Sequence, residues 1–244
     1  MNLKPALRYQ ASEMRSALSW YYGTVFVLGV VGYVLARYLT SRFGMDSLDI
    51  NVSGLIGVTS FFLFVVGLNS YKPNLFLLLQ NGVSRKTLFV SLCIAGVVVG
   101  IGTGIIDLLL DEVIRRLMAP MEINIMNVSD AIAPPSSFPL LGRVVGVTIL
   151  NGSTFFAGVL ITSLFYRLNT LQKVLVPVGL VLGVTGLSFY DSYTGVITKL
   201  LEMVESFSQA NLPQYLITQV GYAALILGVT WLLQRRAQVK TNLS

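Results

Sequence analysis

Histidine is missing from the 244 residues, and cysteine occurs once, at Cys93 inside an apolar run. A disulfide within the chain is therefore impossible, and zinc sites built on imidazole are excluded. HExxH protease helices go with the histidines, no GxSxG elbow is present, and no GxxxxGK[ST] phosphate loop occurs, so ATP is not held here in the P-loop manner. Charge is also scarce. Charged residues make up 11% of the chain, against about 25% in an ordinary soluble domain.

Apolar residues fill that space. The chain is 54% hydrophobic with a mean hydropathy of +0.73, the composition of a membrane protein. The net charge of +6 comes from 17 Lys and Arg against 11 Asp and Glu. Nucleic-acid binding would need those cations gathered on one face of a soluble domain. They lie instead between apolar runs, so no nucleic-acid partner is expected and the lipid bilayer is.

A hydrocarbon core of roughly 30 Å takes about 20 helical residues to cross. Six stretches suffice, at about 20–38, 52–69, 88–110, 144–166, 174–190 and 216–233. None shows the alternation of an outer-membrane strand, so the expected fold is all-α, a single transmembrane domain over residues 1–244. No short apolar core followed by a cleavage site is seen at the N-terminus, and the first span is expected to be retained as an anchor.

Orientation follows from the cations between spans. Lys4, Arg8, Arg15, Lys72, Arg85, Lys86, Arg167, Lys173, Arg235, Arg236 and Lys240 fall on one side, and Arg37, Arg42, Arg115, Arg116, Arg143 and Lys199 on the other. The excess on the first side puts both termini in the cytoplasm. Acidic residues follow suit, since Glu13 alone lies on the first side.

Residues 1–18 carry Leu3, Leu7, Met14 and Leu18 at near-helical spacing among cations, which fits a helix lying in the cytoplasmic interface. The connection from Asp111 to Gly142 begins as a continuing helix that Pro120 should end, followed by a proline-containing extended part. Between spans five and six, Val196, Leu200, Leu201, Val204 and Phe207 recur at spacings of three and four. They predict an amphipathic outer helix that stops before Pro213.

Asp107 is the ionisable residue set furthest into a span, and it sits three residues from the expected outer end of span three. An intramembrane carboxylate points to function, whereas at this depth it is expected to be solvated. Gly96, Gly100 and Gly104 repeat at i+4 in span three, as do Gly179 and Gly183 in span five, and predict close helix packing. Asn69, Asn151, Ser153, Thr154, Thr185 and Gln219 are scattered polar residues that either line a route or bond between helices.

The phrase YKPNLFLLLQNGVSRKTLFVS, residues 71–91, interrupts the apolar pattern. Pro73 suits a helix start, Asn81-Gly82 a left-handed helix end, and Ser84 the cap of the next helix. Arg85 and Lys86 oppose the macrodipole of that helix, so they are not there to stabilise it. The apolar turn Leu75 to Leu79 is too short to span and lies on the cytoplasmic side, where membrane surface or a partner must cover it.

LLLQNGVSRKTLF resembles the coupling-helix exit of ABC-2-type transporter permeases, in their small bacterial form. The layout of the whole chain is similar to that family: a basic helix, six spans, cytoplasmic termini and a short helix between spans two and three. The resemblance implies a non-catalytic permease of the bacterial cytoplasmic membrane, paired with a second copy or a similar permease and with two ATP-binding subunits that hold ATP and magnesium. It assigns docking on the ATPase to Lys72, Leu75, Phe76, Leu79, Gln80, Asn81, Arg85 and Lys86. Export of a peptide, antibiotic or lipid-like molecule is the implied activity. The connection between spans three and four is longer than the family's outer turn, and no ATPase is fused. A secondary carrier, a substrate-capture subunit of a vitamin importer and an integral membrane enzyme are the alternatives; converging nucleophile and base residues, which an enzyme would need, are not found.

Overall fold

A computed structural model of the chain describes residues 3–43, 55–119 and 139–235, all in helices or the short turns between them. Seven helices follow in order: α1 (Leu3–Phe43), α2 (Leu55–Gln80), α3 (Arg85–Met118), α4 (Pro139–Arg167), α5 (Thr170–Thr194), α6 (Val196–Ala210) and α7 (Leu212–Gln234). All but α6 are long and apolar enough to cross a membrane, which makes this a multi-pass membrane protein. Pro120, Pro134 and Pro135 of the connection before α4 lie outside the described residues, whereas Pro139 to Gly142, expected to be extended, form the first turn of α4, where a proline is tolerated because its missing N–H has no helical partner.

α4 is the centre of the bundle, packed on α2, α3 and α7, while α1 lies against α3 and α2. Glycine lets the backbones meet. At Gly67 of α2 an added Cβ would strike the Phe155 carbonyl of α4, and at Gly158 of α4 it would strike the Phe64 carbonyl of α2. On α3, Gly96 faces the Phe156 ring, Gly100 the Thr148 carbonyl and Gly104 the Thr148 hydroxyl, so this face of α3 lies close along α4.

Two expected boundaries dissolve. Of the segment 1–18, expected as a separate interfacial helix, the described residues 3–18 are the start of α1 and run without a break into span one. Its buried face, Ala6, Gln10 and Met14, is turned onto the bundle, and Gln10 Nε2 donates to Ser91 Oγ of α3 at 3.1 Å. Likewise Pro73 lies inside α2 and starts no new helix. Tyr71, Asn74, Leu75 and Leu78 around it are buried against the rest of the chain, and that packing holds the helix in line past the proline.

α5 differs from its neighbours in having no buried residue, and it meets the rest through α6. The corner between them is built by Asp191, whose carboxylate accepts the Ile197 N–H at 2.7 Å and the Thr198 N–H, with Gly195 at a φ of +61°. Asn211 then caps α7 by accepting the Gln214 N–H at 3.0 Å.

Candidate functional site

The turn between α2 and α3 is fixed by local bonds. Gly82, at φ +74°, donates to the Leu79 carbonyl at 3.1 Å, and Val83 donates to Leu78 at 2.9 Å, the paired bonds of a Schellman end. Ser84 then opens α3 by accepting the Thr87 N–H at 3.2 Å.

Its side chains divide into two sets. Leu75 is buried in the chain's own core with Leu78, Leu88 and Leu92, and Leu79 packs partly against the same cluster. Phe76 is half-buried, edge-on to Tyr166 of α4 at 6.2 Å. Gln80, Asn81 and Lys86 are exposed, as is Leu77, which the spacing had not singled out. Arg85 is half-buried and donates to the carbonyl of Arg235, the residue that ends α7, at 3.4 Å. Lys72 belongs to α2. Leu75 is thus covered by its own fold and unavailable to a docking groove, because a helix that packs on its own bundle shows a partner only its outer side.

A second constellation lies deeper. Asp107 is fully buried, not solvated as its place near the end of the span suggested. Its Oδ1 accepts from Tyr22 Oη at 2.9 Å and Thr59 Oγ1 at 3.0 Å, and its Oδ2 accepts from Asn151 Nδ2 at 3.0 Å. Asn151 Nδ2 also donates to Thr103 Oγ1 at 3.1 Å, while its Oδ1 accepts from Ser60 Oγ at 2.8 Å. Tyr21 stacks on Phe62 and shares a 2.8 Å bond with Thr59. One carboxylate therefore ties together α1, α2, α3 and α4. Three donors aimed at two oxygens offset much of the cost of burying it.

Of the scattered polar residues, Asn151 joins this cluster, whereas Asn69 and Thr185 bond to carbonyls of their own helices. Tyr22, Thr59 and Thr103 carried no signal in the sequence. Their partners in the cluster lie 38 to 85 residues away, a separation to which no local spacing rule applies. Gly179 and Gly183 face open space, with nothing within 4 Å of an added Cβ. Among the described residues no group of three or more acidic, cysteine or histidine residues could hold a metal ion.

Comparison with family models, with curated proteins and with solved structures gives no match for the chain.

Proposed function

We propose that the chain is the membrane permease of an ATP-driven exporter of the ABC-2 type, with the α2–α3 turn as the docking point of a separate ATP-binding subunit. In this reading the turn faces the cytoplasm of a bacterial cell, and ATP and magnesium belong to the partner. A second copy or a similar permease, with two ATPase subunits, completes the exporter. Cargo of peptide or lipid-like character suits a route through so apolar a bundle.

The observation that supports it best is the construction of that turn. Leu77, Gln80, Asn81 and Lys86 are presented outward on a capped corner. The same corner is tied to α4 through Phe76 and Tyr166 and to α7 through Arg85 and Arg235. A push there reaches four helices at once, α2 and α3 through the turn itself and α4 and α7 through these contacts. The test is purification of the tagged chain from its native membranes: ATPase activity should accompany it, and should be lost when Leu77→Asp and Lys86→Glu are combined. Retention of that activity in the double variant, with the variant still folded, contradicts docking at the turn.

Asp107 favours a second reading, a secondary carrier driven by an ion gradient, since a buried intramembrane carboxylate is a common element of ion pathways. Vesicles holding only this chain would then transport under a proton or sodium gradient without ATP, and Asp107→Asn would stop them. The first reading predicts no such transport.

A further inference from the structure

The charge pattern of α1 is offset from that of the other spanning helices. Four helices share one basic border. Arg85 at the start of α3 meets Arg235 at the end of α7, and the Thr162 hydroxyl donates to the Leu68 carbonyl at 2.7 Å, which sets Arg167 of α4 near the height of Lys72 of α2. Beyond that border α3 is free of charge from Thr87 to Ile106, roughly 30 Å of helix and the thickness of a hydrocarbon core. α1 is uncharged from Ser16 to Ala36.

Those two stretches do not coincide. Gln10 bonds Ser91 and Tyr22 bonds Asp107, so α1 and α3 run parallel in a fixed register. In that register the uncharged stretch of α1 starts roughly 15 Å beyond that of α3 and ends roughly 21 Å beyond it, at 1.5 Å per residue. Glu13 and Arg15 are therefore exposed at heights where α3 is wholly uncharged. Val27, Val31 and Leu35 are exposed past Asp107, where α3 carries Asp111, Glu112, Arg115 and Arg116. A bilayer disfavours both, the charges within its core and the apolar helix outside it. Translation of α1 toward the basic border removes both at once.

The sequence of α1 repeats its contact residues three turns on. Three turns take about 11 residues and return to the same face within about 20°. Tyr33 stands at that distance from Tyr22, and both line the cleft between α1 and α3. Ala17 and Leu18 likewise follow Ala6 and Leu7, and Tyr21 follows Gln10, whose Oε1 is buried without a hydrogen-bond partner.

We propose that α1 slides along the bundle between two registers three turns apart, with the Tyr22 hydroxyl on Asp107 in one and the Tyr33 hydroxyl on it in the other. The slide, roughly 16 Å toward the basic border, sets Arg15 near the height of Arg85 and lays Ser16 to Ala36 beside the uncharged stretch of α3. Asp107 keeps Thr59 and Asn151 as donors and exchanges one phenol for another, so its burial stays offset in both positions. Discrete shifts of one packed helix past another follow from such alternative fits. Tyr21 bonds Thr59, so Leu55 lies about one turn past the height of Tyr21, and the slide brings Phe43 nearer to Leu55 instead of stretching the link to α2. Bilayer thickness favours the lowered register, whereas a detergent micelle imposes no fixed thickness and leaves α1 in the register bonded through Tyr22. The inference rests on membrane placement and stands whether or not an ATPase docks at the α2–α3 turn.

The test measures the distance between spin labels on Val27→Cys, exposed on α1, and Gln80→Cys, exposed at the α2–α3 turn, in a Cys93→Ser background. Leu109→Cys with Gln80→Cys, both on helices that stay in place, is the control pair. Double electron–electron resonance on the full-length chain should give a main α1 distance roughly 16 Å shorter in a phospholipid bilayer than in detergent, with the control distance alike in both. Tyr33→Phe should return the bilayer population toward the longer distance about threefold, and Tyr22→Phe should raise the share of the shorter one in detergent about threefold, the effect of one hydrogen bond between membrane helices. A single α1 distance common to bilayer and detergent overturns the proposal. So does a control pair that shortens along with α1, or a Tyr33→Phe chain that behaves like the unaltered one.

Discussion

α3 and α5 carry glycines at the same i+4 spacing and meet opposite surroundings. Gly96, Gly100 and Gly104 of α3 lie against α4, whereas Gly179 and Gly183 of α5 face nothing within 4 Å. The difference lies in what stands opposite. α4 offers Gly152 and Thr148 at the heights of the α3 glycines, but α5 is followed at once by the sharp Asp191 corner into α6 and buries no residue. Small residues permit close approach; a matching surface has to supply it.

The contrast can be broken most forcefully at the α2–α4 crossing. Gly158→Leu would drive a side chain into the Phe64 carbonyl, and overpacking of this kind costs about 3 kcal/mol or more. The thermal unfolding midpoint in detergent should collapse, whereas Gly183→Leu, in open space, should stay within about 0.5 kcal/mol of the unaltered chain. Equal effects at the two sites would mean that α5 is packed in solution after all.

Next in size is the polar pin. Asp107→Leu strands the donors of Tyr22, Thr59 and Asn151, each worth about 1–3 kcal/mol when buried unpaired and not strictly additive. Denaturant titration should show a loss near 3 kcal/mol, and adding Asn151→Leu should cost less than the two separate effects combined. Gly82→Ala forces a left-handed residue with a Cβ at the α2–α3 turn and should cost about 1–2 kcal/mol. Tyr22→Phe removes one bond to Asp107 and should cost about 0.6 kcal/mol, the mean for hydrogen bonds between membrane helices.

How much was legible in the sequence varies with the range of the interaction concerned. Six apolar helices, the amphipathic 196–210 segment and the Asn81-Gly82-Val83-Ser84 turn are written locally, in hydropathy and in residues that terminate or cap helices. The continuity of α1 and α2 was hidden because Pro73 and the charge border near Arg15 look like boundaries, and only burial of Leu75 and Gln10 against distant helices overrides them. Asp107 misled for the same reason: depth along its own span implied solvent, but Tyr22 and Asn151 close over it from other helices. Leu77 and Leu75 differ by two residues, and helix rotation alone makes one exposed and the other core.

Docking at the α2–α3 turn is tested most directly by a photo-crosslinking residue placed at Leu77 in the full chain, in its native membranes, with Val181 on the exposed α5 as control. Crosslinking from 77, but not from 181, to a protein containing a GxxxxGK[ST] loop is the predicted result. Crosslinks from 77 only to lipid, or only to a second copy of this chain, would contradict it.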